Sequence, residues 1–303
     1  AHRFALILQE AGVPPGVLNV VQGLGAEAGT ALVDHPDVDL VSFTGSCQVG
    51  KTVQALAGAR LAKVSLELGG KNPLVVCDDA ELDTAANAAA MSAFSNAGQR
   101  CAAGSRIVVF DSVYEEFRER LVARTSSMRV GTSDEDDLGP VINERAVGRV
   151  LEAVEASLTR GAKLLAGGRR LTDGPYAGGF YVEPTLLDDV GSNDPISTTE
   201  LFGPVTCLYR VRDLDEAVDL CNQTPYGLTA AIHTRSIHRG MRFAERVQAG
   251  MVVVNGPTYG SEPHMPFGGF KQSGNGSREA GTEALDVFSD WKSICLITDP
   301  NLA

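Results

Sequence analysis

The chain has 303 residues, with 26 Lys and Arg against 38 Asp and Glu and a formal net charge of -12. That length supports a sizeable core and two domains. A composition of 44% hydrophobic and 21% charged residues excludes a disordered chain. The acidic balance excludes a general nucleic-acid binder, which needs clustered Lys and Arg. No apolar run approaches the length of a membrane span.

The chain starts at Ala1 and enters a helical pattern at once, with no signal-peptide charge pattern before it. It is expected to be a piece of a longer chain. The predicted helix near Arg3 to Ala11 ends at Gly12 and a Pro-Pro-Gly turn. VLNVV reads as a strand, Ala26 to Val33 as a short helix and VDLVSF as a buried strand. A helix begins near Cys47, and AKVSLEL is a further strand. This alternation predicts a parallel α/β sheet with crossover helices.

A second α/β region opens with NPLVV. An Ala-rich helix over roughly Leu82 to Ala97 leads to Cys101, followed by a strand RIVVF and an amphipathic helix from Val113 to Ser126. GTSDEDDLGP is an acidic, solvated loop. A helix near Glu144 to Arg160 and a turn-rich stretch precede several strand and helix units. PFGGFKQSGNGSREAG is a long glycine-rich loop, and LDVFSDWKSICLI alternates like a late strand.

The six cysteines, Cys47, Cys77, Cys101, Cys207, Cys221 and Cys295, are widely spaced without a C-x-x-C pair. That spacing is neither a disulfide framework nor a zinc pattern, and it suits a reducing, cytoplasmic compartment. The five histidines are scattered, so no metal site is expected.

Two stretches invite a phosphate-loop reading. GLGAEAG, from Gly23 to Gly29, has one residue too many for the dinucleotide fingerprint and reads as a strand-to-helix turn. GSCQVGKT, from Gly45 to Thr52, matches G-x-x-x-x-G-K-[ST] in full. A P-loop nucleotidase using Lys51 and Thr52 is therefore a rival reading. It leaves the stretches around Glu67, Cys101 and Glu200 unexplained.

Those stretches suit one chemistry. LELGGKNP puts Glu67 at a strand end, where a carboxylate can face a cleft. GQRCAAG surrounds Cys101 with small residues that let a substrate come close, ELFGPV pairs an acid with an aromatic ring, and MPFGG is an apolar pocket-lining loop. Taken alone, Cys101 could be a buried small hydrophobe, Glu67 could pair with Lys63 or Lys71, and Phe202 and Phe267 could be plain core.

Together, SFTGSCQVGK, LELGGKNP, FSNAGQRCAAGSR, ELFGPV and PFGGFKQSGNG resemble the NAD(P)-dependent aldehyde dehydrogenase superfamily, in the family's order and over essentially the whole chain. The resemblance makes the P-loop match a coincidence. It implies an α/β fold with a partial Rossmann-type cofactor domain over 1–69, a catalytic domain over 70–270 and a return segment with an oligomerisation strand over 271–303. It implies oxidation of a small-molecule aldehyde to the acid with hydride transfer to NAD or NADP, and a homodimer or homotetramer.

In that light Cys101 resembles the nucleophile, with a shifted thiol pKa and its own backbone N–H as an oxyanion donor. Glu67 resembles the general base for thioester hydrolysis. Gly45 and Ser46 resemble pyrophosphate contacts, Glu200 the ligand of the nicotinamide ribose, and Phe202 the ring against the nicotinamide. Leu68 lies beside them, and Gly29 and Val49 are candidates around the adenine. Arg100 and Phe267 are candidates for the substrate pocket, with Arg100 facing a substrate carboxylate. The family's second oxyanion donor and its adenosine-ribose lysine belong to a segment that precedes Ala1. The GQRC variant and the C-terminal motifs are most similar to the branch that oxidises 2-oxoglutarate semialdehyde. A cofactor-independent thiol esterase and a non-catalytic remnant are the alternatives.

Overall fold

The computed structural model describes residues 1–297, and these divide into two compact units. One unit comprises Ala1–Phe43 and Gln48–Val64. It contains helix α1 (His2–Glu10), a π-helical turn over Gly25–Gly29, helix α2 (Thr30–Asp34) and most of strand β1 (Leu40–Thr44). Most of helix α3 (Cys47–Ala59) and the start of strand β2 (Lys63–Glu67) complete it.

The predicted helices are present there, but the strand expected at VLNVV is not. Val17 and Val21 are exposed, and a strand needs a neighbour to take up its N–H and C=O groups. β1 is only half-buried, not the buried strand its apolar run suggests. Phe4, Leu6 and Ile7 on α1 are exposed as well.

The other unit comprises Thr44–Cys47 and the chain from Ser65 onward. Its elements follow in order: strand β3 (Asn72–Val76), helix α4 (Leu82–Phe94), strand β4 (Gly104–Phe110), helix α5 (Tyr114–Ser126) and helix α6 (Glu144–Thr159). Strands β5 (Lys163–Ala166), β6 (Arg170–Leu171), β7 (Tyr181–Val182) and β8 (Thr185–Asp188) come next, with helix α7 (Pro195–Thr198) and strand β9 (Val205–Val211). Helix α8 (Leu214–Asn222), strands β10 (Tyr226–Gly227) and β11 (Thr229–His233), helix α9 (Ile237–Arg246) and strand β12 (Met251–Val254) follow. Strand β13 (Phe270–Lys271) and helix α10 (Ala284–Phe288) come last.

Seven of these strands form one sheet in the order β12-β11-β3-β4-β9-β8-β5, parallel except for the β5 edge. Leu74 sits opposite Ile107, and Val108 opposite Tyr209. Leu74, Val75, Val76, Ile107, Val108 and Val109 are all fully buried. Such unbroken apolar runs belong to a sheet covered on both faces. Side-chain caps from Glu81, Asn143, Asp213 and Ser236 start α4, α6, α8 and α9.

The Ala-rich helix stops at Phe94, three residues short of its predicted end. Asn96 and Ala97 then take left-handed backbone angles, with φ of 55° and 53°. This turn swings the chain toward Cys101. Gly98 completes it at φ +66°, and a Cβ there would overlap the Gly203 carbonyl. The turn before Cys101 thus abuts the turn after Phe202.

The predicted late strand over Val287–Ile297 is not formed. The chain is helical to Phe288 and irregular to Ile297, with Trp291, Ile294, Leu296 and Ile297 exposed. Alternating apolar residues become a strand only where another strand supplies ladder partners, and none does among the described residues. Residues 298–303 of the expected return segment over 271–303 lie outside the described residues.

Gly98→Ala forces an L-residue into a left-handed turn against a backbone carbonyl, so it should lower unfolding free energy by about 2–4 kcal/mol. Urea unfolding measures this, and a loss within experimental error would contradict the packing at Gly203.

Candidate active site

The site lies in the second unit, at the N-terminal ends of the central parallel strands. β2 ends at Glu67, and the Leu68–Gly70 turn leads into β3. Cys101 immediately precedes β4. Glu200 to Phe202 precede β9, and the 258–270 loop follows β12. The parallel order β3-β4-β9 brings the first three of these to one end of the sheet, and the chain after β12 runs back to it, where Thr258 meets the Ala102 carbonyl.

A cavity of about 880 Å³ opens there. Cys101, Arg100, Glu200 and Phe202 line it. Gly45, Ser46, Leu68 and Phe267 line it as well. Gly29 ends the π-helical turn and half-exposed Val49 lies on α3, both in the other unit and outside this lining. Glu67 is 7% exposed and is also outside the lining, so its carboxylate does not open into the cleft as its strand-end position suggests.

Two glycines shape the site. A Cβ on Gly69 would overlap the Glu200 carboxylate, and one on Gly70 would collide with the Cys101 carbonyl and the Asn72 side chain. The Gly70 N–H donates to Glu200 Oε1 at 3.1 Å. Phe202 has φ +53° and is 42% exposed. A non-glycine residue in the left-handed region is uncommon and concentrates at functional sites.

Burial dominates the electrostatics. The Cys101 thiol pKa is raised by desolvation and further by the carboxylates of Glu200 and Glu67, while the N–H groups of Ala102 and Cys101 oppose the rise. This departs from the expectation of a thiol tuned toward neutral pH: burial outweighs the two N–H donors. Glu67 is pushed up to about 8, first by desolvation and then by Glu279, with Arg278 pulling the other way. Neither Glu67 oxygen meets a hydrogen-bond donor, so the carboxylate is bonded to neither Lys63 nor Lys71. Glu200 is also raised by burial, against the Gly70 N–H, Lys71 and Arg149.

Several contributors were not singled out from the sequence. Lys71 is 3% exposed, and desolvation lowers its pKa to about 8. Arg149 lines the cavity and donates from Nε to the Leu201 carbonyl at 3.1 Å. Tyr259 also lines it, with the Arg100 guanidinium 4.5 Å from its ring centre. Lys71 had a sequence signal, since it stands in LELGGKNP, and Tyr259 opens the YGSEPHMPFGG stretch; Arg149 lies in a stretch without a motif.

The GSCQVGKT stretch does not form a phosphate-cradling loop. α3 begins at Cys47, so Lys51 and Thr52 lie inside the helix, and the Thr52 hydroxyl donates to the Gln48 carbonyl at 3.3 Å. A P-loop needs several non-helical residues ahead of the helix to aim their N–H groups at phosphate, and only Gly45 and Ser46 intervene here. The nucleotidase reading is thereby overturned. Among the described residues, no group of three or more His, Cys, Asp or Glu could hold a metal.

The residues fit a nicotinamide dinucleotide. Gly45 and Ser46 stand at the start of α3, where backbone N–H groups favour an anion. The Glu200 carboxylate can accept from sugar hydroxyls, and the exposed ring of Phe202 offers a flat apolar face in the same cavity.

A parallel sheet covered on both faces, with a cysteine and a buried carboxylate lining one cavity at its end, is an α/β architecture. Residues 1–294 match the aldehyde dehydrogenase family, and the chain belongs to it. It is 42% identical to alpha-ketoglutaric semialdehyde dehydrogenase of Bacillus subtilis (strain 168), over 94% of this chain and 59% of that protein. It is 43% identical to a mitochondrial aldehyde dehydrogenase of Leishmania tarentolae, over 97% and 58%. Betaine aldehyde dehydrogenase from Staphylococcus aureus, solved in complex with NAD+, superposes with a TM-score of 0.91 at 33% identity, over 94% of this chain and 56% of that one. HpcC from Thermus thermophilus gives 0.91 at 41% identity, over 95% and 56%. The chain thus spans less than two thirds of the length of these relatives. No described helix is long and apolar enough to cross a membrane.

The raised Glu67 pKa carries a signed stability prediction. The folded state prefers the neutral carboxyl, so this contribution is intact at acid pH and is lost as pH rises through about 8. Glu67→Gln, which cannot ionise, should gain roughly 2–4 kcal/mol over the parent between mildly acid and mildly alkaline pH. Melting temperatures of both proteins across pH test this. A difference independent of pH would contradict the buried, unpaired carboxylate.

Proposed function

We propose that this chain carries the catalytic portion of an NAD(P)-dependent aldehyde dehydrogenase that oxidises a small semialdehyde to the acid. The observation that carries the reading is the joint lining of one cavity by Cys101, Glu200, Phe202, Gly45 and Ser46, with Glu67 buried nearby.

Cys101 Sγ, as thiolate, adds to the aldehyde carbon, and the carbonyl oxygen becomes an oxyanion. The Cys101 backbone N–H faces the reacting centre and supplies one donor for that charge. A nicotinamide dinucleotide held by Gly45, Ser46, Glu200 and Phe202 would accept the hydride as the C–H bond breaks and the oxyanion collapses, which would leave a thioester on Sγ. The Glu67 side chain, buried beside the cavity, then turns toward it and takes a proton from water as the water attacks the thioester carbon. The C–S bond breaks, the acid departs and the Cys101 thiolate returns. A carboxylate with a pKa near 8 is a competent base for that step. Glu200 orients the nicotinamide ribose, Phe202 and Leu68 bound the ring, and Gly45 and Ser46 hold the pyrophosphate. Gly29 and Val49 remain candidates near the adenine. Either NAD or NADP suits these residues.

The semialdehyde preference rests on Arg100. Its guanidinium lies over Tyr259, lines the same cavity as Cys101 and offers a fork for a distal carboxylate. The Bacillus subtilis relative carries a semialdehyde in its name. Exposed Trp291, Ile294, Leu296 and Ile297 favour self-association, as a dimer or tetramer. None of the six cysteines is in a disulfide, which suits a reducing compartment such as the cytoplasm.

Aldehyde-dependent formation of reduced nicotinamide tests the reading. Cys101→Ala should abolish it, and Glu67→Gln should lower it on the order of a hundredfold or more. Turnover unaffected by Cys101→Ala, or ester hydrolysis indifferent to the dinucleotide with no aldehyde oxidation, would sink it. Arg100→Gln should raise KM about tenfold for a carboxylate-bearing aldehyde and leave an uncharged aliphatic aldehyde unchanged. Equal effects on both would remove Arg100 from substrate recognition.

A further inference from the structure

The turn that carries Cys101 is held by two side chains, one within the LELGGKNP stretch and one far along the chain. Asn72, 1% exposed at the start of β3, donates from Nδ2 to the Cys101 carbonyl at 2.8 Å and to the Ala103 carbonyl at 2.9 Å. Its Oδ1 accepts from the Thr229 N–H of β11 at 3.1 Å. Thr258, fully buried after β12, donates from Oγ1 to the Ala102 carbonyl at 2.6 Å. Its own N–H is anchored on Ser92 Oγ of α4 at 3.0 Å. The Arg100 carbonyl accepts from the Ala103 N–H at 3.1 Å. Every carbonyl from Arg100 to Ala103 is therefore engaged.

In a trans peptide the C=O of one residue and the N–H of the next point in opposite directions. Fixing the Cys101 carbonyl therefore fixes the Ala102 N–H. Fixing the Ala102 carbonyl, as Thr258 does, fixes the Ala103 N–H on the Arg100 carbonyl, and that carbonyl in turn fixes the Cys101 N–H. Both N–H groups favour the thiolate against the opposing effect of burial, Glu200 and Glu67. The geometry leaves room for this arrangement only because Gly70 has no Cβ between Asn72 and the Cys101 carbonyl.

We infer that Asn72 and Thr258 are positioning residues: they grip the carbonyls of the nucleophile turn so that the Ala102 and Cys101 N–H groups face Sγ. The inference rests on the reading of Cys101 as nucleophile. The role belongs to three separate elements, β3, β11 and α4, that meet at this turn. A bare turn of small residues would have several low-energy peptide orientations. The two side chains select the one that serves an anion at Sγ, whether thiolate or the adjacent oxyanion.

The test reads the thiol itself. Chain labelled with 13C at cysteine Cβ is titrated by NMR, with the Cys101 signal assigned through Cys101→Ser. Asn72→Ala should raise the Cys101 midpoint by about one unit, and below that midpoint alkylation by iodoacetamide should slow about tenfold. Thr258→Val should raise it by about half a unit, and Thr258→Ser, which keeps the hydroxyl, should leave it within about 0.2 of the parent. Circular dichroism and melting establish that each variant is folded. Should Asn72→Ala not fold, Thr258→Val against Thr258→Ser decides alone. Folded variants that keep the parent midpoint would overturn the inference. The readout uses neither aldehyde nor dinucleotide, so loss of the proposed dehydrogenase activity and loss of the clamp are separately visible.

Discussion

Two residues without side chains, Gly69 and Gly70, set the closest approach in this site. The Glu200 carboxylate rests against Gly69 and accepts from the Gly70 N–H, while the Cys101 carbonyl occupies the space beside Gly70. A methyl group at either position would separate the proposed cofactor ligand or the proposed nucleophile from the strand that carries Glu67. The short link from β2 to β3 thus brings three chemistries within reach of one cavity. The parallel sheet makes this possible, because it delivers the preceding loops of β3, β4 and β9 to a common end.

That end of the sheet is dry enough to change what its acids do. Burial raises Cys101 and Glu67 together, and each carboxylate in the site makes ionising the thiol harder. In the proposed reaction the proton held on Glu67 near neutral pH and the proton held on Cys101 are both removed more easily as pH rises. Compensation comes from backbone donors: the N–H groups of Ala102 and Cys101 lower the Cys101 thiol. Peptide orientation then becomes the variable that matters, which is why the neighbours of the turn weigh as much as the turn.

Most of the fold was legible because its signals are local. Apolar runs such as NPLVV and RIVVF mark strands buried on both faces, and the caps and breaks around α4, α5 and α6 fall within a few residues of expectation. The failures share one cause. VLNVV is apolar like a strand and the Val287–Ile297 stretch alternates like one, yet a strand exists only where a second strand meets it, and composition says nothing about that partner. The site was legible in the same partial way. Cys101, Glu200, Phe202, Gly45 and Ser46 were found by motif, and they share a cavity. Arg149, Thr258 and the grip of Asn72 were not found, because their roles come from contacts between residues 29 to 157 positions apart, and Tyr259 meets Arg100 from as far along the chain. The match of GSCQVGKT to a phosphate loop failed for the converse reason: spacing alone does not fix where a helix begins.

The central claim is that Cys101 forms the covalent intermediate. The most direct measurement is the mass of the Glu67→Gln variant, quenched in acid after exposure to a semialdehyde with NAD or NADP, followed by peptide mapping. The account predicts an acyl group on the peptide bearing Cys101, absent when the dinucleotide is omitted. A folded variant with no adduct on that peptide, or with the acyl group on another cysteine, would contradict it.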